Sequence, residues 1–290
     1  MHMISIVIPA FDEEAAIVET VKNTAQILTA ARISSFEIIV VDDGSTDRTA
    51  EFAEAAGARV IRKPQNKGYG HSLKIGIASA KHDTIVITDA DGTYPLDRIP
   101  ELITLYNQGF DMIVGQRTGK YYRESILKMP LRLAFKWLVE FTVGTSVPDV
   151  NSGLRVFSRT EIMKLFPNLS DVFSFTTSST LAYAMRKKYV LYVPIPYFKR
   201  TGKSKVRLFR DSLRALQFIV HAIVHYNPIK IFLVISFAIL LMCFTLLGAA
   251  IYFESSVMGL LGGIAGLVAT LIFAMGLLAE QIKSNRDFLD

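Results

Sequence analysis

The stretch "IVITDADGTYP", residues 85–95, places two aspartates one residue apart after a run of strand-forming residues. Side chains alternate along a strand, so Asp89 and Asp91 can share one face if the backbone stays extended. Two neighbouring carboxylates repel each other, and a hard divalent cation with oxygen ligands relieves that repulsion. The same letters also describe solvated carboxylates in a turn before Gly92, because Asp and Gly are common turn residues. A metal site and an ordinary turn are therefore both open at this point.

Short β-branched runs alternate with helical patterns through the first half of the chain. The predicted strands are Ile4 to Ala10, Phe36 to Ser45, Ala58 to Lys63, Asp83 to Asp91 and Asp111 to Arg117. The predicted helices are Glu14 to Ala31, Thr46 to Ala56, Gly70 to Ala80 and Leu96 to Asn107. This alternation predicts an α/β fold with a mostly parallel, doubly wound sheet that helices cover on both faces.

Acidic residues follow three of the predicted strands at their carboxyl ends. The pairs are Asp12 and Glu13, Asp42 and Asp43, and Asp89 and Asp91. Ligands of doubly wound sheets bind beyond the carboxyl ends of the strands, where an anionic ligand would be repelled by these groups without a metal. The clustering therefore favours the metal interpretation of residues 85–95 over the turn interpretation.

Two apolar stretches, Ile231 to Phe253 and Val257 to Ala279, contain 23 residues each and no charged side chain. At about 1.5 Å per residue each reaches roughly 34 Å, enough to cross a hydrocarbon core of about 30 Å. They account for the positive mean hydropathy of +0.34. Only residues 254–256 separate them, so they predict a tight transmembrane hairpin.

Glycines in the second apolar stretch form two overlapping G-x-x-x-G spacings, at Gly259, Gly262, Gly263 and Gly266. This spacing permits close helix approach, either within the hairpin or between protomers of a homo-oligomer. Gly is also simply common in membrane helices, so the spacing alone does not choose between these interpretations.

Lys and Arg flank the hairpin on both sides and are absent from its connecting turn. By the positive-inside rule, both termini are then cytoplasmic. We therefore expect an integral membrane protein at the cytoplasmic face of the plasma (inner) membrane. The single cysteine, Cys243, permits no intramolecular disulfide, in agreement with a cytosolic body.

Six stretches in order along the chain carry a resemblance: "VIPAFDEEAAI", "VVDDGSTDRT", "NKGYGHSLKIGI", "VITDADGTYP", "MIVGQR" and "NSGLRVFSR". Together they resemble the family 2 glycosyltransferases of the GT-A fold, in the polyprenyl-phosphate (dolichol-phosphate mannose synthase-like) branch. The resemblance covers roughly residues 4–205. It implies a GT-A catalytic domain (1–205), a juxtamembrane amphipathic helix (206–230), the transmembrane hairpin (231–279) and a cytoplasmic tail (280–290).

The resemblance also implies roles for individual residues on the side of the donor, a nucleotide sugar. Its nucleoside would lie along Pro9, Phe11 and Glu13, with its base near Val41 and Asp43, and its pyrophosphate would meet Asp89, Ala90 and Asp91. In the family the D-x-D carboxylates hold Mg2+ or Mn2+ against that pyrophosphate. Asp149 lies where some relatives place an acid near the reacting centre, and a substitution there should lower kcat.

Two departures from the family pattern stand out. The family usually reads P-x-Y-N-E, whereas this chain has Phe11 and Asp12 in place of Tyr and Asn. Many dolichol-phosphate mannose synthases place a metal-binding amide two residues after the D-x-D pair. This chain has Thr93 there, so the metal ligand at that position would be its hydroxyl, a water or absent.

Basic residues in the second half predict the acceptor side. Lys128, Arg132 and Lys136 form one helical stripe, and Arg207, Arg210 and Arg214 form another next to the hairpin. Basic amphipathic helices beside a membrane segment are typical of the membrane interface, although a solvated face gives the same pattern. The resemblance implies that an acceptor phosphate is bound by the following cations: Arg117, Arg132, Lys199, Arg200, Lys203 and Lys205. The bland alternative is that Arg117 pairs with a nearby carboxylate and the loop touches headgroups only.

These observations, together with the resemblance, predict a membrane-bound and metal-dependent enzyme, and the resemblance implies that it inverts the anomeric centre. It would transfer a sugar from a UDP- or GDP-sugar to polyprenyl (dolichyl or undecaprenyl) phosphate. The net charge of +6 fits phosphate-bearing lipids better than nucleic acid, because the basic groups cluster beside the membrane segment. The alternatives are a GT-A synthase acting on a glycolipid or polysaccharide, and a non-catalytic membrane scaffold. A dinucleotide oxidoreductase is excluded, since no G-x-G-x-x-G follows the first strand.

Overall fold

The computed structural model describes residues 3–33, 35–119, 129–172, 174–200, 217, 220 and 228–287, with side chains given from 136 in the helix that begins at 129 and up to 283 in the last helix. The chain forms two compact units, Met1–Phe218 and Ile219–Asp290. The predicted boundaries at 205 and 230 fall in or beside residues 201–227, most of which lie outside the described residues, so they stay predictions.

The first unit is an α/β domain. Its strands are β1 (Met3–Ala10), β2 (Ser35–Asp42), β3 (Arg59–Arg62), β4 (Thr84–Ile87), β5 (Met112–Thr118), β6 (Arg155–Ser158) and β7 (Val190–Pro196). Its helices are α1 (Ile17–Ala30), α2 (Thr49–Ala55), α3 (Tyr69–Ser79), α4 (Ile99–Tyr106), α5 (Met129–Val143), α6 (Arg159–Leu165) and α7 (Phe175–Met185). The strands form one sheet in the order β3-β2-β1-β4-β6-β5-β7.

The first strand shows how the sequence produces a sheet with two covered faces. Ile4, Ile6 and Ile8 point to one face and join a core cluster with side chains of α1 and α4. Val7 points to the opposite face, into a second cluster with α3, α6 and α7. Because side chains alternate in direction, an uninterrupted apolar strand requires a core on each side.

The sheet is parallel except at β6, which runs antiparallel to β4 and β5. In register, Arg155 at the start of β6 lies opposite Ile87 at the end of β4. The loop before β6, residues 149–154, therefore reaches the same rim as the carboxyl ends of the parallel strands.

Two predicted strands end three or more residues earlier in the structure. Strand β4 ends at Ile87 rather than Asp91, because the chain bends at residues 90–92 and Gly92 takes a φ of 72°. Asp89 and Asp91 thus leave the ladder, so the extended backbone that would align them on one face is not formed. Strand β2 ends at Asp42 rather than Ser45.

The second unit contains α8 (Pro228–Tyr252) and α9 (Ser256–Asp287). Both are long and apolar enough to cross a membrane by length and composition, with mean hydropathies of 2.7 and 2.2. Helix α9 continues past Ala279 through most of the predicted tail, because that segment holds good helix formers and no Gly or Pro.

The two helices pack closely on each other. A Cβ added at Gly262 would lie 2.9 Å from the Leu247 side chain, and one at Gly266 would lie 3.3 Å from Cys243 Sγ. Ser236 Oγ donates to the carbonyl of Ala269 across the pair at 2.9 Å. This G-x-x-x-G spacing therefore serves the hairpin itself, and association of protomers through it stays a prediction.

Candidate active site

The D-x-D loop follows β4 and is fixed by its own hydrogen bonds. Asp91 Oδ1 accepts from the Thr93 backbone N–H at 3.1 Å and from Thr93 Oγ1 at 2.7 Å. Thr93 is fully buried. In this structure, Thr93 orients Asp91, and its role as a metal ligand stays a prediction.

Asp89 is enclosed by two residues from distant segments. Tyr69, at the start of α3, donates its hydroxyl to Asp89 Oδ1 at 2.9 Å. A Cβ at Gly153 would lie 2.8 Å from the same oxygen, so a larger residue there would displace this carboxylate. The Gly153 N–H donates to the Tyr94 hydroxyl at 2.6 Å, which holds the glycine in place.

The two aspartates share a site. Burial, followed by the charge of Asp91, raises the pKa of Asp89 to about 7, while Tyr69, Arg117 and Arg200 oppose that rise. A pair of carboxylates whose ionisation is opposed in this way favours a bound cation. The bends at residues 90–92 therefore do not abolish the interaction that the sequence pattern predicted.

The side-chain oxygens of the site fit a divalent metal in part. Carboxylate oxygens suit Mg2+ and Mn2+, and Asp89 and Asp91 supply them. Among the described residues, no group of three or more His, Cys, Asp and Glu side chains could hold a metal. Further ligands would then have to come from a substrate, as in sites where Mg2+ is held by one or two carboxylates together with phosphates.

Arg200 lies on the donor side of the site. Its Nη2 donates to Glu13 Oε1 at 2.7 Å, and its Nε lies 3.3 Å from Asp91 Oδ2. It thus joins the rim of β1 to the D-x-D loop. Its predicted contact with an acceptor phosphate is not among these interactions and stays a prediction. Lys199 beside it is exposed.

Arg117 and Asp149 form a two-point ion pair. Arg117 Nε donates to Asp149 Oδ2 and its Nη2 to Oδ1, both at 2.8 Å. The Arg117 backbone N–H adds a bond of 3.0 Å. Burial alone would raise the pKa of Asp149, but the Arg117 guanidinium and these N–H groups hold it below its usual value. Asp149 is therefore paired with Arg117, as the alternative interpretation of Arg117 expects. The predicted catalytic role of Asp149 stays a prediction.

The loops after β1 and β2 bind each other. The Asp12 backbone N–H donates to Ser45 Oγ at 2.9 Å, and the Thr46 N–H donates to Asp12 Oδ1 at 2.8 Å. Asp12 has a φ of 49°. The Glu13 N–H donates to Thr49 Oγ1 at 2.7 Å, which leaves the Glu13 side chain directed to Arg200. Asp12 thus has a structural role at the rim.

Asp43 has a similarly organised surrounding. It forms a buried ion pair with Lys63, and its oxygens accept from the backbone N–H groups of Lys67 and Gly68, both at 2.9 Å. These bonds shape the turn that leads into α3. The contact of Asp43 with a nucleotide base stays a prediction.

The other predicted donor-side residues occupy different depths. Pro9 and Val41 are buried and lie opposite each other in the β1–β2 register. Val41 is fully buried in the core, so its side chain packs there. Ala90 is buried, and its carbonyl accepts from Thr20 Oγ1 at 3.0 Å. Phe11 is partly exposed.

Several predicted acceptor residues lie outside the part of the chain that the structure describes. Lys203, Lys205 and the side chain of Arg132 lie outside the described residues, as do Lys128 and the stripe of Arg207, Arg210 and Arg214. Of the stripe on α5, Lys136 is described, and its Nζ lies 3.7 Å from Glu140 Oε1.

Four residues around the site were not singled out from the sequence: Tyr69, Tyr94, Gly153 and Arg155. All lie inside the quoted motifs "NKGYG", "DADGTYP" and "NSGLR". Membership of these motifs was the only sign in the sequence that they belong to the site. Their partners could not be read from it, because Tyr69 bonds a residue 20 positions away and Tyr94 a residue 59 positions away.

The sequence of this chain is similar to those of proteins with known activities. Residues 5–166 match the family model "Glycosyl transferase family 2". A dolichyl-phosphate hexose transferase of Haloferax volcanii is 31% identical over 71% of this chain and 87% of that protein. An undecaprenyl-phosphate 4-deoxy-4-formamido-L-arabinose transferase of Edwardsiella ictaluri is 26% identical over 97% of this chain and 89% of that protein.

The fold is also similar to that of a solved structure. Glucosyl-3-phosphoglycerate synthase from Mycobacterium tuberculosis, in complex with Mn2+, UDP and glucosyl-3-phosphoglycerate, is 22% identical. It superposes with a TM-score of 0.60 over 76% of this chain and 79% of that one. The predicted GT-A fold and the resemblance are thereby confirmed, and the chain belongs to glycosyl transferase family 2, a family of enzymes.

Proposed function

We propose that this glycosyltransferase moves a sugar from a UDP- or GDP-sugar to polyprenyl phosphate at the cytoplasmic face of the membrane. The observation that carries the proposal is the joint placement of the carboxylates Asp89 and Asp91 with the guanidiniums Arg117 and Arg200, which both act on the pKa of Asp89. Such a site suits a metal-bound pyrophosphate beside a second anion. The names of the two relatives above, which both specify a polyprenyl-phosphate acceptor, support it.

In the proposed reaction, an oxygen of the lipid phosphate attacks the anomeric carbon of the donor sugar. The bond from that carbon to the diphosphate oxygen breaks, and the nucleoside diphosphate leaves. A single displacement inverts the anomeric centre. The acceptor is already an anion at neutral pH, so it needs positioning more than a general base.

Different residues of the chain would bind the metal, the acceptor phosphate and the donor. Asp89 and Asp91 would hold Mg2+ or Mn2+, which when bound supplies Lewis-acid stabilisation of the leaving diphosphate. Arg117, oriented by Asp149, would bind the acceptor phosphate, because a guanidinium can donate to two phosphate oxygens. Glu13 and Arg200 would border the donor.

A donor and acceptor screen tests the function. The full chain in lipid nanodiscs should glycosylate a short polyprenyl phosphate with one of a panel of UDP- and GDP-sugars, and it should leave the matching polyprenol without phosphate unmodified. Radiolabelled donor and lipid extraction measure the product. Transfer to a glycolipid or oligosaccharide in place of the lipid phosphate would contradict the acceptor, and no transfer with any donor would support the scaffold alternative.

The proposed topology predicts an asymmetric labelling pattern in intact cells. In a Cys243→Ala background, a membrane-impermeant maleimide should label Glu254→Cys, in the turn between α8 and α9, because that turn carries no Lys or Arg. It should not label Met3→Cys until the cells are permeabilised, although Met3 is 57% exposed. The reverse pattern would place the catalytic unit outside.

A further inference from the structure

Arg155 is a guanidinium held entirely inside the first unit, with no exposed surface. Its Nε donates to the carbonyl of Ser152 and its Nη2 to the carbonyl of Val150, both at 2.8 Å. Its Nη1 donates to the hydroxyls of Thr180 at 2.9 Å and Ser179 at 3.2 Å. Every one of these partners is neutral, and no ion pair of Arg155 is present among the described residues.

Burial of a guanidinium among only neutral partners costs free energy of folding. Removing a charge from water costs several kcal/mol, and hydrogen bonds recover only part of it. When a buried charged group and its partners are replaced together by apolar side chains of similar volume, stability is often unchanged or higher. Stability is therefore a weak reason for Arg at this position, and its contacts point to another.

Those contacts converge on residues 149–153. Arg155 donates to two carbonyls of this loop. Helix α7 adds a hydrogen bond from Thr177 Oγ1 to Asn151 Oδ1 at 2.7 Å. Ser152 Oγ donates to the carbonyl of Gly115 at 2.5 Å. The loop is thus held by β5, β6 and α7 together.

Both ends of the same loop contact the active site. Asp149 binds Arg117 by two bonds of 2.8 Å. Gly153 lies so close to Asp89 that a Cβ there would be 2.8 Å from the carboxylate. A small shift of the loop would therefore move the Arg117 guanidinium and the first carboxylate of the D-x-D pair at once.

We propose that Arg155 is a positioning residue that fixes residues 149–153 and through them both Arg117 and Asp89. A planar guanidinium suits this role because its Nε and Nη2 donate to the carbonyls of Ser152 and Val150 at the same time in a fixed geometry. The ammonium of a lysine has no such fixed arrangement of donors. The inference rests on the proposed transfer reaction for its kinetic readout, and on the positions of Val150 and Ser152 for its mechanism.

The test compares Arg155→Met, Arg155→Lys and a control on the same strand, Val156→Ala. Val156 is fully buried in the core on the other side of the ladder, so its truncation lowers stability through a cavity without touching the loop. Arg155→Met should lower kcat about 100-fold, because misplacement by about 1 Å has that effect. It should also lower the melting temperature, since the carbonyls of Val150 and Ser152 lose their buried donors. Val156→Ala should lower the melting temperature and keep kcat within about twofold at 20 °C, a bound set by the intact loop.

The lysine variant and a binding measurement complete the test. Arg155→Lys should recover little of kcat, and full recovery would show that charge alone matters and overturn the proposal. Equal kcat losses in Arg155→Met and Val156→Ala at equal loss of melting temperature would overturn it as well. Titration with Mn2+–UDP and Mn2+–GDP, without acceptor, should show weaker binding by Arg155→Met. If the wild type transfers no sugar, the proposed function fails, and this titration alone judges Arg155, with unchanged affinity counting against it.

Discussion

Asp91→Asn is expected to lower turnover at least about 1,000-fold, since Lewis-acid stabilisation by a metal is worth several kcal/mol. The structure explains why so small a change should matter. An amide oxygen can still accept from Thr93, which bonds Asp91 Oδ1 at 2.7 Å. The amide nitrogen would replace an anionic oxygen that lies 3.3 Å from Arg200 Nε, so one donor would face another and the negative charge would be lost. Initial rates at saturating donor, acceptor and Mn2+ measure the effect, and EDTA should reproduce it in the wild type.

Asp12→Asn provides the matched control. It makes the identical chemical change at another rim carboxylate and installs the amide that the family usually carries at this position. The amide oxygen can keep the bond from the Thr46 N–H that Asp12 Oδ1 accepts at 2.8 Å. Near wild-type rates are expected for it, with melting temperatures close to the wild type for both variants. A fully active Asp91→Asn in EDTA, or equal losses in the two variants, would remove the metal assignment.

The parallel half of the fold could be predicted from the sequence because its signals are local. The apolar run of β1 and the helix that follows are set by residues next to each other in the chain. Strand β6 was missed, since "RVFS" is only four residues long and its antiparallel insertion between β4 and β5 depends on distant partners.

Strand β7 was missed for a different reason. Pro194 and Pro196 lie within it, and proline lacks the N–H that an inner strand needs. In the structure β7 is an edge strand beside β5, and both prolines are exposed. An edge position removes the objection, but the sequence does not say which strand is at the edge.

The site divides in the same way. Carboxylates after strand ends could be predicted to gather, because parallel strands end at one rim. The partners of those carboxylates could not, since Arg200 and Glu13 are 187 residues apart and Tyr69 reaches Asp89 from another helix. For Arg117, pairing with a nearby carboxylate was the alternative interpretation, but the sequence did not identify Asp149 as that carboxylate, because the motifs suggest separate roles for the two residues.

That pairing yields the second large effect, in Arg117→Ala. Asp149 has only 2% of its side chain exposed, so removal of Arg117 leaves a buried charge without its partner, a change that costs about 3–5 kcal/mol in comparable pairs. If Arg117 also binds the acceptor phosphate, the loss of a charge-assisted bond of about 1.5–3 kcal/mol should raise the lipid KM or lower kcat roughly 10- to 100-fold. Donor affinity, measured by titration of nucleotide sugar with metal, should change little.

The double variant Arg117→Ala with Asp149→Asn separates these two contributions. Neutralising Asp149 removes the unpaired charge, so the double variant should recover much of the melting temperature that Arg117→Ala loses. It should not recover the lipid KM or kcat, because no guanidinium is present to hold the phosphate. Asp149→Asn alone keeps the cation but loses one of its two carboxylate anchors, and it should show a reduced kcat with a smaller loss of stability, since Arg117 has 16% of its side chain exposed. If the double variant regains activity together with stability, Arg117 serves only to neutralise Asp149, and the acceptor phosphate must be bound by other cations of this chain.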